Sequence, residues 1–218
     1  MHIIPNVRYN AQVFLYIGFP LIEIFNRIAS TLKTLRKERG WSLDKTAQET
    51  SVSKAMLGQI ERAESSPTIA TLWKIASGFD VPFSLFITDE QGDYSTGKTK
   101  PLHPNENKIL VLPIFPYDEE IRCEIFVIEL LSGCEHISSP HKPGVIEHVL
   151  VAEGSMEVFL NDSWKPLQKG EGLRFCADQP HGYRNLSKQN SIIHDIIHYP
   201  FQLHQKKKKS TSQECVGE

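Results

Sequence analysis

The sequence predicts an α+β chain of two domains: an N-terminal bundle of five short helices, then an antiparallel β-sandwich or barrel. Three observations predict it. Apolar residues recur at helical spacing between Asn26 and Phe86, punctuated by glycines. From Ile109 onward the runs are short, β-branched and aromatic, separated by Gly, Asp, Asn and Pro at about ten-residue spacing. Between the two, residues 89–107 hold Gly, Pro, Ser, Thr and charge with little apolar content, the composition of a linker.

The first helix is expected over 26–39, where Ile28, Ala29, Leu32 and Leu35 share one face and Gly40 supplies the C-terminal stop. The second (43–50) and third (54–62) follow Ser42 and Ser53, each placed as an N-cap. The fourth, 68–77, has Leu72, Ile75 and Ala76 inward, with Gly78 as its terminator. Pro82 opens the fifth, with Leu85 and Phe86 as its apolar residues. These elements make a helical domain over 26–88. The β-domain, 108–203, is expected to draw strands from ILVLPIF, CEIFVIELL, EHVLVAEG, SMEVFL, GLRFCA and SIIHDIIHY. Residues 204–218, with a lysine run at 206–209 followed by STSQECVGE, read as a disordered tail.

Residues 1–25 stand apart. The stretch 11–25 is strongly apolar but too short for a membrane span, and Pro20 interrupts it. No small-residue cleavage site follows, which argues against a signal peptide. An extension, a start assigned too far upstream and a packing arm all fit.

The formal net charge of −2 conceals an uneven layout. Residues 26–39 hold Arg27, Lys33, Arg36, Lys37 and Arg39 against Glu38, whereas acids outnumber bases over 109–195. A basic front and an acidic back suit a nucleic-acid-binding end joined to an end with another task. The cysteines are Cys123, Cys134, Cys176 and Cys215, with no C-x-x-C pair, so neither a disulfide framework nor a cysteine zinc site is indicated. Reduced thiols in a cytoplasm fit best, with Cys123 and Cys176 as small core residues.

Helices 43–50 and 54–62, joined by a tight turn, place one short helix where it can protrude from a bundle into a DNA groove. Lys54, Ala55 and Met56 form the first turn of that reader helix, and Gln59 follows on the same face. Gln can bond an adenine edge bidentately, and Ala or Met can touch a thymine methyl. Leu57 and Ile60 fall on the buried side. Gly58, unusual inside a helix, costs about 1 kcal/mol of helix preference relative to Ala. Ser42 at a helix N-terminus suits a phosphate, as does Arg62 beyond the reader. The DNA-facing set is therefore Ser42, Leu43, Ser53, Lys54, Ala55, Met56, Gln59 and Arg62.

This stretch resembles the lambda-repressor-like (XRE-type) helix-turn-helix family over roughly 27–87. The matching residues include Arg36, Gly40, Trp41-Ser42-Leu43, Ala47, Val52-Ser53, Leu57, Gln59-Ile60-Glu61-Arg62, Pro67, Thr71-Leu72 and Val81-Pro82. The resemblance implies dimeric binding to a two-fold operator, and a structural ion pair between Arg36 and Glu61. Ala63-Glu64 departs from the family, which often has Gly followed by a polar residue there.

Seven of the nine histidines lie between His136 and His204. PHKPGVIEHVLVAEG brings His141 and Glu147 before a strand, and KGEGLRFCADQPHGYRN brings His181 after a proline. His and Glu on facing strands can converge on one divalent cation such as zinc, nickel, iron or manganese. These stretches resemble the two motifs of the cupin family, whose fold is a β-barrel of jelly-roll type, over about 108–200. Glu147 and Gly154 fit the first motif; Gly170, Pro180, His181 and Asn185 fit the second. The first motif usually carries two histidines two apart, and here only His141 stands in that region. Two alternatives stay open: a metal held by His141, Glu147 and His181, or a metal-free pocket using them as hydrogen-bonding groups. His148 should face away from Glu147 on a strand. Arg174 and Tyr183 join the candidate effector contacts, while His194 and His198 read as surface or edge residues.

The domain order resembles bacterial regulators of amino-acid, polyamine or sulfur metabolism. The expectation is a homodimeric, non-enzymatic DNA-binding regulator whose cupin half senses a small molecule, with no membrane partner. A cupin metalloenzyme fused to a DNA-binding module is the alternative.

Overall fold

The computed structural model describes residues 21–88 and 108–200. The expected linker, the tail with Cys215 and residues 1–20 lie outside the described residues. The helical half has α1 (Leu21–Glu38), α2 (Leu43–Thr50), α3 (Lys54–Glu61) and α4 (Ile69–Phe79). The expected fifth helix is a single 3-10 turn, Phe83–Phe86. Four residues after Pro82 cannot close a stable α-helix, and Phe83, not Leu85, fills the core: Leu85 is 41% exposed and Phe83 fully buried. Helix α1 begins at Leu21, before the residue where the apolar periodicity was expected to start.

Helix ends follow local chemistry. Ser42 accepts a hydrogen bond from Lys45 N at 3.1 Å, Ser53 from Met56 N at 3.2 Å and Thr68 from Thr71 N at 3.1 Å. Gly40 stops α1 with φ +64°, as expected. Gly78 does not stop α4; the helix runs on to Phe79 and Asp80 takes the left-handed position. Gly78 instead permits helix contact, since a Cβ there would lie 2.7 Å from Thr50 Cα. Gly58 is different: a Cβ would meet side-chain atoms and no backbone, Arg62 Nη1 at 3.3 Å and Leu43 Cδ1 at 3.8 Å.

Helix α3 ends on Ala63, at φ +55°, with Glu64 N bonded to Gln59 O at 2.9 Å and Ala63 N to Ile60 O at 2.9 Å. This paired closure wants glycine at the left-handed residue. The left-handed conformation costs a side-chain-bearing residue roughly 1–2 kcal/mol, part of which glycine gives back through its freer unfolded chain. Ala63→Gly is therefore expected to stabilise the protein by about 0.5–1 kcal/mol, raising the melting temperature by roughly 2 °C in calorimetry. A lower melting temperature would show that Ala63 is not strained.

Among the described residues the β-half has nine strands in two sheets. Strands β1 (Ile109–Asp118), β2 (Cys123–Leu130), β4 (Ile146–Glu153), β7 (Gly172–Cys176) and β9 (Ser191–His198) form one sheet, in the order β1-β2-β9-β4-β7. Strands β3 (Cys134–Ser138), β5 (Ser155–Leu160), β6 (Ser163–Gln168) and β8 (His181–Asn185) form the other, in the order β3-β8-β5-β6. All pairings are antiparallel. The sandwich alternative, not one closed barrel, describes this arrangement. All three prolines within the described strands sit on edge strands: Pro113 and Pro116 in β1, where its register shifts, and Pro166 in β6. Asn161 and Asp162, at φ +51° and +57°, make the two-residue turn between β5 and β6.

The two halves share one core. Glu124, fully buried on β2, accepts hydrogen bonds from Phe83 N (3.2 Å), Ser84 N (2.9 Å) and the Tyr199 hydroxyl. Ser84 Oγ accepts from Tyr117 N at 2.9 Å. The indole of Trp73 on α4 stacks on Phe83, with ring centroids 4.2 Å apart. No helix among the described residues is long and apolar enough to cross a membrane. Cys123 and Cys134 are buried; Cys176 is exposed, contrary to the core role expected of it, because the alternation of β7 turns Phe175 inward.

Candidate functional sites

The surface of α3 is built by its caps and its buried stripe. Leu57 and Ile60 are buried at 0% and 1% exposure, which turns Lys54, Ala55, Met56 and Gln59 to solvent. Ser42, Ser53 and Arg62 are exposed as well. Leu43 is half-buried and packs against the core, so of the expected DNA-facing set it is the residue least available to a groove. Lys54 Nζ lies 2.8 Å from Asp44 Oδ2 and Arg62 Nη2 lies 2.7 Å from Glu64 Oε2. Both pairs are exposed, hence weak and screened by salt, and either cation can trade its partner for a phosphate. Arg36 and Glu61 make the two-point pair that the family resemblance implied: Nε to Oε1 at 2.5 Å and Nη2 to Oε2 at 2.9 Å. Arg36 Nη1 also donates to Trp41 O at 3.1 Å, tying α1 to α3 and to the turn before α2.

The second site lies between the sheets. His141 sits in the loop between β3 and β4; Glu147 is on β4, His181 opens β8 and Tyr183 follows it. His141 Nε2 lies 2.7 Å from Glu147 Oε1, and His181 Nε2 lies 3.4 Å from the same oxygen. The Tyr183 hydroxyl donates to Glu147 Oε2. The cavity around them is about 20 Å³. Arg174 is not part of it. It is exposed on the far face of its sheet, in register with His148, because Phe175 takes the inward position on β7. His148 also faces away, as expected, with its ring 5.3 Å from that of His198.

Beyond its apolar lining, the cavity holds residues that the sequence did not point to, His136, Ser138, Asp195 and Trp73 among them. His136 and Asp195 were legible in principle. Cys134, His136 and Ser138 are the inward set of β3, and Ile193, Asp195 and Ile197 belong to that of β9. Trp73 comes from the helical half and carries no such signal.

The electrostatics are set by burial and convergence. Burial raises the Glu147 carboxyl, but hydrogen bonds from His141 and His181, and their charges, more than reverse this and leave it below the usual carboxylate range. For His181 burial lowers, yet the hydrogen bond and charge of Glu147 prevail, so the imidazole is raised. Burial lowers His136, helped by the charge on His181. Asp195 is raised well above its ordinary value by burial, then by the charges of Glu147 and Glu124, which favours its neutral form. Its Oδ1 is buried with no hydrogen-bond partner among the described residues.

The depressed Glu147 adds stability that is present above its ordinary value of 4.5 and lost as pH falls. The raised His181 adds stability that is present below its ordinary value of 6.5 and lost as pH rises through its folded value. In chelator-treated protein, the stability difference between wild type and His181→Gln is expected to be larger at pH 5.5 than at pH 9, read by urea unfolding. An equal difference at both pH values would refute the charged pair.

The donor set fits a cation. His181 Nδ1 lies 2.9 Å from Gln179 O, which fixes the proton on Nδ1 and leaves the Nε2 lone pair facing Glu147. A neutral imidazole would then repel the carboxylate, so the cluster asks for a positive charge: a proton on the ring, or a metal ion. The ligand atoms of His141, Glu147 and His181 all lie within 4.8 Å of one another, compatible with bonds of about 2.0–2.2 Å to one ion after small shifts.

Family models match both halves: a helix-turn-helix over 32–86 and a cupin domain over 126–197. The chain is 48% identical over 173 residues to the HTH-type transcriptional regulator SutR of Escherichia coli (strain K12), covering 79% of this chain and 95% of that protein. It also matches the crystal structure of an HTH_3 family transcriptional regulator from Vibrio cholerae. That match has 48% identity and a TM-score of 0.74, over 82% of this chain and 98% of the other. With this similarity running through both halves, the chain belongs to the XRE-type helix-turn-helix transcriptional regulators that carry a cupin domain.

Proposed function

We propose that the chain is a homodimeric, operator-specific regulator of the cytoplasm. Its α3 reads DNA, and its inter-sheet site binds a small effector. It regulates by binding, without catalysing a reaction. One observation supports the reading above others: α4 of the DNA-binding half walls the same buried cavity in which His141, Glu147, His181, Tyr183 and Asp195 of the β-half converge. A ligand there can favour one arrangement of the two halves, which is what coupling between sites requires. His141, Glu147 and His181 would hold a divalent cation (zinc, nickel, iron or manganese), which when bound would supply a Lewis-acidic anchor for an effector donor atom. Asp195 lines the same cavity and its Oδ1 has no hydrogen-bond partner among the described residues, so it can bond a ligand; Tyr183 orients Glu147. Metal analysis of the purified full-length protein tests that assignment.

At the DNA end, Gln59 carries sequence selectivity and Arg62 carries affinity. Gln59→Ala is expected to change the preferred operator in a binding-site selection, since a bidentate base contact discriminates by about 1–3 kcal/mol. Arg62→Ala should weaken binding to every sequence and lower the salt slope by about one unit. Unaltered selectivity would remove Gln59 from the reader, and an unaltered slope would remove Arg62 from the phosphate contacts. A cupin metalloenzyme fused to a DNA-binding module is the second reading, drawn from the two-imidazole, one-carboxylate donor set. Oxygen consumption by the iron-loaded protein would favour it.

A further inference from the structure

At about 20 Å³ the inter-sheet cavity has room for a water molecule or an ion, not for a metabolite. One of its walls is Trp73, whose ring centroid lies 4.8 Å from that of His141. On the other side of this pair is a larger cleft of about 290 Å³, between α2 and α4 of the helical half and the loop joining β3 to β4. Trp73 and His141 line both spaces. Two side chains therefore divide a metabolite-sized cleft from the buried donors.

The cleft has a definite chemistry. Lys74 reaches it from α4 and Lys142 from the β3–β4 loop, and Ser77 and Ser139 add hydroxyls from each side. Neither lysine has a carboxylate within ion-pairing distance among the described residues. The one acid among the lining residues, Glu49, is already held by Lys45. The charge of Lys142 also reaches Glu49, but neither lysine is in a close ion pair; two such ammonium groups, hydroxyl donors and an indole face suit a small organic anion: charge on the lysines, flat or apolar body on Trp73.

The geometry points to this interdomain cleft as the outer half of the effector site, taking a small organic anion and opening to the His141–Glu147–His181 cavity when Trp73 moves. The inference rests on the effector-sensing reading above and adds the ligand class and the route. It also names how binding reaches DNA. Trp73 lies on α4, and α4 meets α2 so closely at Gly78 that a Cβ would lie 2.7 Å from Thr50 Cα. A shift of α4 therefore displaces α2, which packs on α3.

The test uses the full-length protein labelled with 5-fluorotryptophan, the Trp73 resonance being assigned with Trp73→Phe. The probes are benzoate, its uncharged counterpart benzamide, and inorganic phosphate, each up to 50 mM. Benzoate is expected to shift the Trp73 signal saturably, at least tenfold more tightly than benzamide or phosphate. The double variant Lys74→Ala/Lys142→Ala should weaken benzoate at least tenfold. No saturable shift with benzoate, equal binding of benzamide or of phosphate, or an undiminished affinity in the double variant would each overturn the proposal. Operator affinity measured with and without saturating benzoate separates the two readings. Lysine-dependent binding that leaves DNA affinity unchanged keeps the site and sinks effector control. Loss of benzoate binding sinks the site and leaves the DNA-binding assignment standing.

Discussion

Glu124→Ala is expected to cost about 3–5 kcal/mol of stability, because it strips a buried acceptor from several donors at once. Phe83 N, Ser84 N and the Tyr199 hydroxyl all bond this one carboxylate. None can find water if the junction stays closed, and each unsatisfied buried donor costs about 1–3 kcal/mol. Burial pushes the Glu124 carboxyl above its ordinary range, while hydrogen bonds from Tyr199, Ser84 and Phe83 pull the other way. The residue thus holds the 3-10 turn of the helical half against β2. The loss should concentrate at the junction: hydrogen exchange at Phe83 and Ser84 should accelerate before that of the β9 amides. Glu124→Gln keeps an acceptor oxygen and should lose clearly less. Equal losses for the two variants in urea unfolding would show that packing volume, not hydrogen bonding, is what Glu124 supplies.

Glu61→Ala is the second large expected effect, at about 2–4 kcal/mol. Its partner, Arg36, has a side chain only 19% exposed and would keep its charge with one remaining contact, Trp41 O. The pair joins α1 to the end of the reader helix, so its loss should loosen α3 before the bundle melts. Reduced operator affinity should accompany the reduced stability. The reversed pair, Arg36→Glu with Glu61→Arg, should recover part of both. If Glu61→Ala kept full stability while losing operator selectivity, Glu61 would be a base reader and the scaffold role would be wrong.

The helical half was almost fully legible along the chain. Helix caps, the buried stripe of Leu57 and Ile60 and the exposed Lys54-Ala55-Met56 turn are decided within a few residues of each other. The ends were less so. Gly78 carries the chemistry of a terminator, and only the packing of α4 on Thr50 reveals it as a contact residue. In the β-half, the apolar runs became strands, while β3, β6 and β8 went unread as strands. CEHIS, SWKPLQ and HGYRN carry too much polarity for an alternation signal to stand out.

The site divides along the same line. Residue type and motif spacing were enough to group His141, Glu147, His181 and Tyr183, and the structure brings them together. Arg174 was misplaced because its side is fixed by the register between β4 and β7, a pairing of distant segments. Trp73 and the Glu124 junction were decided by tertiary structure alone, whereas the alternation of β3 and β9 already puts His136 and Asp195 on inward faces. What the chain determines by itself is what neighbouring residues can settle: helix, turn, cap and the likeness of its motifs. Which face of a strand meets which, and that an indole from one half closes a cavity in the other, depends on contacts between residues far apart in sequence. Those contacts form only when distant segments of the chain bury a common apolar surface.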